Sequence, residues 1–320
     1  MEPLPPPPRA ANGSASCESG FTDIGKAAFE LLTADFSVGK ATAELKSCAL
    51  SGAVVRLSGQ HALAGAPSGG CCGGGCAPPG ASVQVESTPL RGIIAKLKLS
   101  EAGVATTSLE THLHPSVKLT VAGSTPPAGA GGCPVASASV GIELATGLCS
   151  AQASFERIKK TGALSLVRTA GGSFPLTAGM SVGYDGETRT LSGRAVKLAY
   201  GMPGHYSVTA FASDLGSGKG GTSYGCLVHS MPSGAAGMQI ATEVRFADGR
   251  PPLLSAAVSA PLTVAGDGAT VKAKAGTDSL LHLSLKQRLS ASTTVTFAGC
   301  VDLHLNSAKT RLGVHLALAP

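Results

Sequence analysis

Apolar and polar residues alternate with a period of two along most of the chain. From Arg311 onward, Leu312, Val314, Leu316 and Leu318 fall on one side, and Arg311, Gly313, His315 and Ala317 on the other. That is the side-chain period of a strand. Val295, Phe297, Val301, Leu303 and Leu305 likewise oppose Thr294, Thr296, Asp302 and His304, and Leu281, Leu283 and Leu285 oppose His282, Ser284 and Lys286. Met238, Ile240, Val244 and Phe246 oppose Gln239, Glu243 and Arg245; Leu176, Ala178, Met180 and Val182 oppose Thr177, Ser181 and Asp185. Turn residues such as Asp185-Gly186, Pro203-Gly204 and Asp248-Gly249 separate the runs.

One segment departs from this period. In residues 20–34, Ile24, Ala27, Ala28 and Leu31 recur at i, i+3, i+4 and i+7, which predicts a helix with one apolar face. Thr22 or Asp23 is placed to cap it, and Asp23, Lys26 and Glu30 fall on or beside the other face. Residues 1–19 are rich in Pro, Ser and Gly and read as a disordered extension. Residues 36–320 read as strand after strand, interrupted by a Gly/Cys-rich loop at 63–80 that holds Cys71, Cys72 and Cys76.

Roughly nineteen strand segments follow the helix, about 15 residues per strand plus turn, which suits strands of about ten residues. One face is aliphatic along every strand and the other carries isolated charges. A two-sheet sandwich calls for a more charged exposed face. A closed all-β barrel with an apolar exterior and a wet lumen accounts for both faces.

Composition narrows the choice. Charged residues make up 14% and apolar residues 43%, with mean hydropathy +0.23, which excludes a disordered chain. The 43 glycines have no three-residue period, which excludes collagen. The formal net charge of +6 is small, and basic and aromatic residues are not interleaved, so no nucleic-acid partner is expected. Nine cysteines without a framework spacing suit a reducing compartment. Met1 to Ala10 carries neither a secretory signal nor an Arg-rich presequence.

Several chemical motifs carry little. Gly216-Ser217-Gly218-Lys219 lacks the first glycine of a phosphate loop and has Gly220 where Ser or Thr belongs, so it reads as a turn. Cys71, Cys72 and Cys76 have no second ligand pair nearby, and His112 and His114 have no third ligand or base. No metal, no cofactor and no enzyme activity is expected.

The chain resembles the mitochondrial porin, or voltage-dependent anion channel, family. The resemblance rests on Asp23-Ile24-Gly25-Lys26-Ala27, Leu31-Leu32-Thr33, Asp35-Phe36, Gly39 and the strand Lys40 to Lys46. It continues through His114-Pro115-Ser116-Val117-Lys118-Leu119, Gly183-Tyr184-Asp185-Gly186 and residues 269–319. It implies a barrel of nineteen strands in the mitochondrial outer membrane, with the helix inside the pore and engaged in voltage gating at Asp23, Lys26, Glu30 and Gly39. It implies passage of small ions, phosphate, ATP and ADP, with nucleotide contacts at Lys26, Leu280, Leu281, His282, Ala298 and Asp302. It also implies recognition by the barrel-assembly machinery through a polar-x-Gly-x-x-hydrophobic-x-hydrophobic signal, matched by Arg311, Gly313, Leu316 and Leu318. Membrane lipid is the expected surround, and homo-oligomerisation stays open.

The chain departs from the family at Phe29 and Ala34, where basic residues are common, and in a hinge reduced to Asp35, Ser37 and a single Gly39. The lipid-facing glutamate of some relatives is replaced by an apolar row of Ile93, Ala95 and Leu97.

Alternation assigns to the lumen Lys40, Lys46, Arg56, Lys96, Lys98, Lys118, Lys197, Arg245, Lys272, Lys274, Lys286 and Arg311, against Glu44, Glu143, Asp185, Glu243 and Asp302. A mainly cationic lumen favours anions. Two other functions fit a β-rich chain: a protein-import pore built on the same barrel, and a soluble all-β binding module.

Overall fold

The computed structural model describes residues 21–48, 52–62, 80–90, 92–101, 103–125, 137–170, 176–202, 205–215, 222–233, 237–262, 268–304 and 310–319. The predicted extension at 1–19, the loop with Cys71, Cys72 and Cys76, and the Gly216–Lys219 turn lie outside the described residues.

A 3-10 turn, Phe21–Asp23, leads into α1, Lys26–Thr33. The strands are β1 Lys40–Cys48, β2 Val54–Ala62, β3 Gly80–Leu90, β4 Ile93–Ser100, β5 Ala105–His114, β6 Val117–Ser124 and β7 Ser137–Ala145. Next come β8 Cys149–Glu156, β9 Thr161–Ala170, β10 Leu176–Asp185, β11 Thr190–Met202, β12 Tyr206–Ser213 and β13 Ser223–Ser230. The wall is completed by β14 Gln239–Ala247, β15 Leu253–Pro261, β16 Ala269–Gly276, β17 Leu280–Arg288, β18 Thr293–Asp302 and β19 Arg311–Leu318.

Each strand pairs antiparallel with its sequence neighbour, and β1 pairs with β19 in parallel, from Ala41↔Val314 to Leu45↔Leu318. An odd number of alternating strands forces that one parallel seam. Closure leaves no row of unpaired amides, which hydrocarbon would not solvate.

The two faces of the wall differ as the alternation requires. Leu109, Phe155, Met180, Phe297 and Leu312 stand in the outward row and are half or more exposed. A predominantly apolar exterior is stable against lipid, not water. No helix among the described residues is long and apolar enough to cross a membrane; the wall crosses as strands.

The helix lies against the inner face, where Ala28, Leu31 and Leu32 pack on Leu227, Ala241 and Ala257 of β13, β14 and β15. Its start differs from the sequence expectation. Neither Thr22 nor Asp23 caps it; Gly25 occupies the cap position with φ 78° and no side-chain cap bond. The chain turns left-handed there, which glycine alone adopts without strain, and a Cβ at Gly25 would come within 3.1 Å of Thr209 Oγ1 on the wall. The turn resets the helical phase. Ile24 is buried separately against Gly179 on β10, Ala27 is exposed, and Leu32 joins Ala28 and Leu31 instead.

Candidate functional site: the lumen

The helix is tethered at both ends. At its start, the Lys197 ammonium donates to the carbonyls of Phe21 and Ile24, each at 3.3 Å, and sits 4.8 Å from the Phe21 ring centroid. Lys197 is in the lumen as alternation required, but it is committed to the helix entry turn. Lys197→Met keeps the apolar stem and removes the donor. It is expected to loosen residues 21–25 while α1 stays seated, read as faster amide exchange confined to that turn.

At the other end, Asp35 adopts φ 66° and pairs with Lys272 on β16 at 2.7 Å. Phe36 meets the His282 ring edge-on at 5.8 Å, and the Gly39 amide donates to the Leu312 carbonyl at 2.7 Å. Thus the segment 34–39, predicted as a thinned hinge, is strapped to β16, β17 and β19. Burial of Asp35 pushes its carboxyl up, but the bond from Lys272 and the charges of Lys272, Lys286 and His315 outweigh that, leaving it below its ordinary 3.8. A carboxyl with a depressed value in the folded state stabilises that state above its unfolded value. The strap is therefore expected to hold at all pH above about 4 and to release as pH falls below 3.8 through the folded value. Asp35→Asn should show the released state, seen as increased open-channel noise, at every pH. Noise that rises at the same low pH in both proteins would refute this role.

The helix surface facing the passage carries Lys26, paired with Asp23 at 3.3 Å, and the exposed Glu30. Gly39 begins the wall with φ 77°.

The twelve predicted lumen cations all fall in the inward row, but they are not equivalent. Lys96 and Lys118 both bind Glu110, at 2.6 and 2.9 Å. Arg245 binds Glu243 at 2.6 Å and lies over the Phe211 ring beside the helix seat. Glu110, with Glu86 and Glu156, is an inward acid that the sequence count omitted; the signal was its parity with Lys96 and Lys118 across the register. Among the described residues, Lys40, Lys46, Arg56, Lys98, Lys274, Lys286 and Arg311 form no ion pair with a carboxylate.

Three of these share one cross-strand row of the wall. Register places Lys46 opposite Arg56, Arg56 opposite Gln84, and Gln84 opposite Lys98. Neighbouring strands lie about 4.8 Å apart, so three cations span about 15 Å of inner wall with no carboxylate in the row. Arg56 Nε is buried without a hydrogen-bond partner. Beside the row, a recess of about 440 Å³ is lined by Glu44, Ser58, Ser82, Lys98 and His315. Alternation identifies these cations singly; their adjacency across strands depends on register.

The remaining site residues are placed as follows. Leu280, His282, Ala298 and Asp302 lie in the inward row, but Leu281 belongs to the outward row with Leu283, so it faces away from the lumen. Asp302 is fully buried and accepts the His304 amide at 2.9 Å; Asp185 accepts two turn amides at the end of β10. Both acids are engaged in ending strands. In β19, Arg311 and Gly313 face inward and Leu316 and Leu318 outward. His114 Nδ1 accepts the Ser116 amide within the β5–β6 turn.

Residues 19–313 match the family model described as eukaryotic porin. The chain belongs to the eukaryotic porin family. No curated protein matched the chain. Membership and architecture agree: this porin is an integral outer-membrane barrel, surrounded by lipid, whose lumen is a pore for small solutes.

Proposed function

We propose that this porin is a voltage-gated, weakly anion-preferring channel of the mitochondrial outer membrane that passes chloride, phosphate, ADP and ATP by diffusion. The observation that carries the anion preference is the unpaired row of Lys46, Arg56 and Lys98. In a water-filled passage, fixed cations raise the local anion concentration without binding any one anion tightly, so the result is preference rather than selection. Lys26, His282 and the Ala298 region offer contacts to nucleotides in transit, and the tethered helix is the element that responds to voltage. The signal at Arg311, Gly313, Leu316 and Leu318 serves the assembly machinery, and the apolar outer wall permits homo-oligomers.

Conductance of the refolded porin in a planar bilayer, under a salt gradient and stepped voltage, tests this reading. A large unit conductance, an anion-leaning reversal potential and closure at both polarities are expected. A cation-leaning pore that flickers with added presequence peptide would instead make it a protein-import pore.

A further inference from the structure

The outer wall carries a depression that passage through the pore does not use. Register lines up Leu144, Ala151, Leu166, Met180 and Val196 across β7 to β11. In the next row toward the rim, Cys149, Arg168 and Ala178 stand side by side. The large side chains flank small ones, and the missing volume leaves a groove of about 650 Å³ on the lipid face. That is within the range of ligand clefts, about 300–1,000 Å³.

Arg168 shares its face with Leu164 and Leu166, so it points away from the lumen. It is two residues from the end of β9, roughly 7 Å by strand rise, and so stands toward the rim of the wall. Its guanidinium has no hydrogen-bond or ion-pair partner among the described residues, and the outward rows of the described strands carry no carboxylate.

We propose that this groove binds an anionic phospholipid of the surrounding bilayer, with an acyl chain over Ala151 and Ala178 and the phosphate on Arg168. The lining is an almost wholly apolar trough, with Arg168 at its rim end, which is the polarity of a phospholipid. The planar guanidinium matches phosphate oxygens in a bidentate fashion. A headgroup with net negative charge is favoured over a zwitterionic one, whose own ammonium offsets part of the attraction.

The chain has no tryptophan, so a single introduced one reports its local lipid. Val196→Trp is reconstituted in phosphatidylcholine vesicles with a small fraction of brominated phosphatidylglycerol or brominated phosphatidylcholine, and quenching is compared. The anionic lipid is expected to be enriched about fivefold at the groove, the equivalent of one interfacial basic residue. Val314→Trp, on the far outer wall, should show no preference. Arg168→Gln should abolish the preference at Val196→Trp, and Ala178→Phe, which fills the trough and keeps the cation, should reduce it at least twofold. Equal quenching by the two headgroups, or a preference that survives Arg168→Gln, overturns the site. A preference untouched by Ala178→Phe overturns the groove and leaves only a surface cation. Unit conductance of each variant is measured in the same lipid. It shows that the barrel is folded, and it fails or succeeds independently of the lipid result.

Discussion

Replacing Lys46, Arg56 and Lys98 together by glutamate is expected to turn the pore from anion to cation preference. The three changes shift the lumen by six charges, enough to take the chain's formal net charge from +6 to neutral. A permeant ion about 10 Å from the row feels roughly 0.4 kcal/mol per unit charge in water. One Debye length of screening at 0.1 M salt cuts this to somewhat over a third. Six charges then amount to roughly 1 kcal/mol, unfavourable for chloride and favourable for potassium, so the anion-to-cation permeability ratio falls by roughly tenfold or more. The reversal potential in a dilute potassium chloride gradient should change sign, and the effect should shrink near 1 M salt, where screening reaches about 3 Å. Substitution by glutamine should give about half the shift. A triple glutamate variant with the parent reversal potential at low salt would remove this row from any account of selectivity.

That row also shows how much of this molecule is written in the sequence. Alternation alone gave the twelve named lumen cations their face, because a strand's side chains have no third direction to take. It also favoured the closed barrel over a sandwich, since an aliphatic row on every strand is best covered by lipid. Alternation is blind to position along the barrel axis, however. Lys46, Arg56 and Lys98 are one row, while Lys96 and Lys118 are drawn onto Glu110, and only the register distinguishes these fates. Lys197 and Lys272 illustrate a second gap. Both read as pore cations, yet each serves the helix, through carbonyls or a linker carboxylate far away in sequence.

The helix was legible in kind but not in phase. The sequence reading carried one apolar stripe from Ile24 through Leu31, whereas the chain spends Gly25 on a left-handed turn and starts again at Lys26. The turn sits against Thr209 on β12, where a side chain at position 25 would be crowded, and that contact is not visible in the local sequence. Leu281 was misassigned for a simpler reason, because a run of three consecutive strand residues cannot share one face. The apolar groove at Arg168 was missed since it depends on small residues coinciding across neighbouring strands.

Gly313→Val is expected to release the linker from the wall while leaving the barrel closed. A Cβ at 313 would run into the Ser37 carbonyl oxygen and lie 3.0 Å from both the Ser37 carbonyl carbon and Val38 Cα. These are backbone atoms, so no side-chain rotation relieves the overlap, and the cheapest response is for residues 37–38 to lift away. The Gly39–Leu312 hydrogen bond, the Asp35–Lys272 pair and the Phe36–His282 contact lie on either side and should be weakened together. The cost should be about 1–3 kcal/mol, the usual range for overfilling a close contact. The wall itself is spared, since Gly313 keeps its pairing with Ala298 through backbone groups. The magnitude matters for gating. One charge crossing the full field at 100 mV gains about 2.3 kcal/mol, and a hydrogen bond to a charged group is worth about 1.5–3 kcal/mol. Under the proposed gating, the strap opposes helix movement by an amount comparable to the driving force, and its loss is expected to lower the closing voltage markedly. Phe29→Trp, placed on the exposed side of α1, supplies the structural readout: its anisotropy should fall in the Gly313→Val background and also with Gly313→Ala, whose Cβ meets the same backbone atoms. Refolding from denaturant needs no assembly machinery, so a defect seen there belongs to the linker and not to the sorting role proposed for this glycine. Unchanged closing voltage and anisotropy in the refolded valine variant would mean that the strap does not restrain the helix.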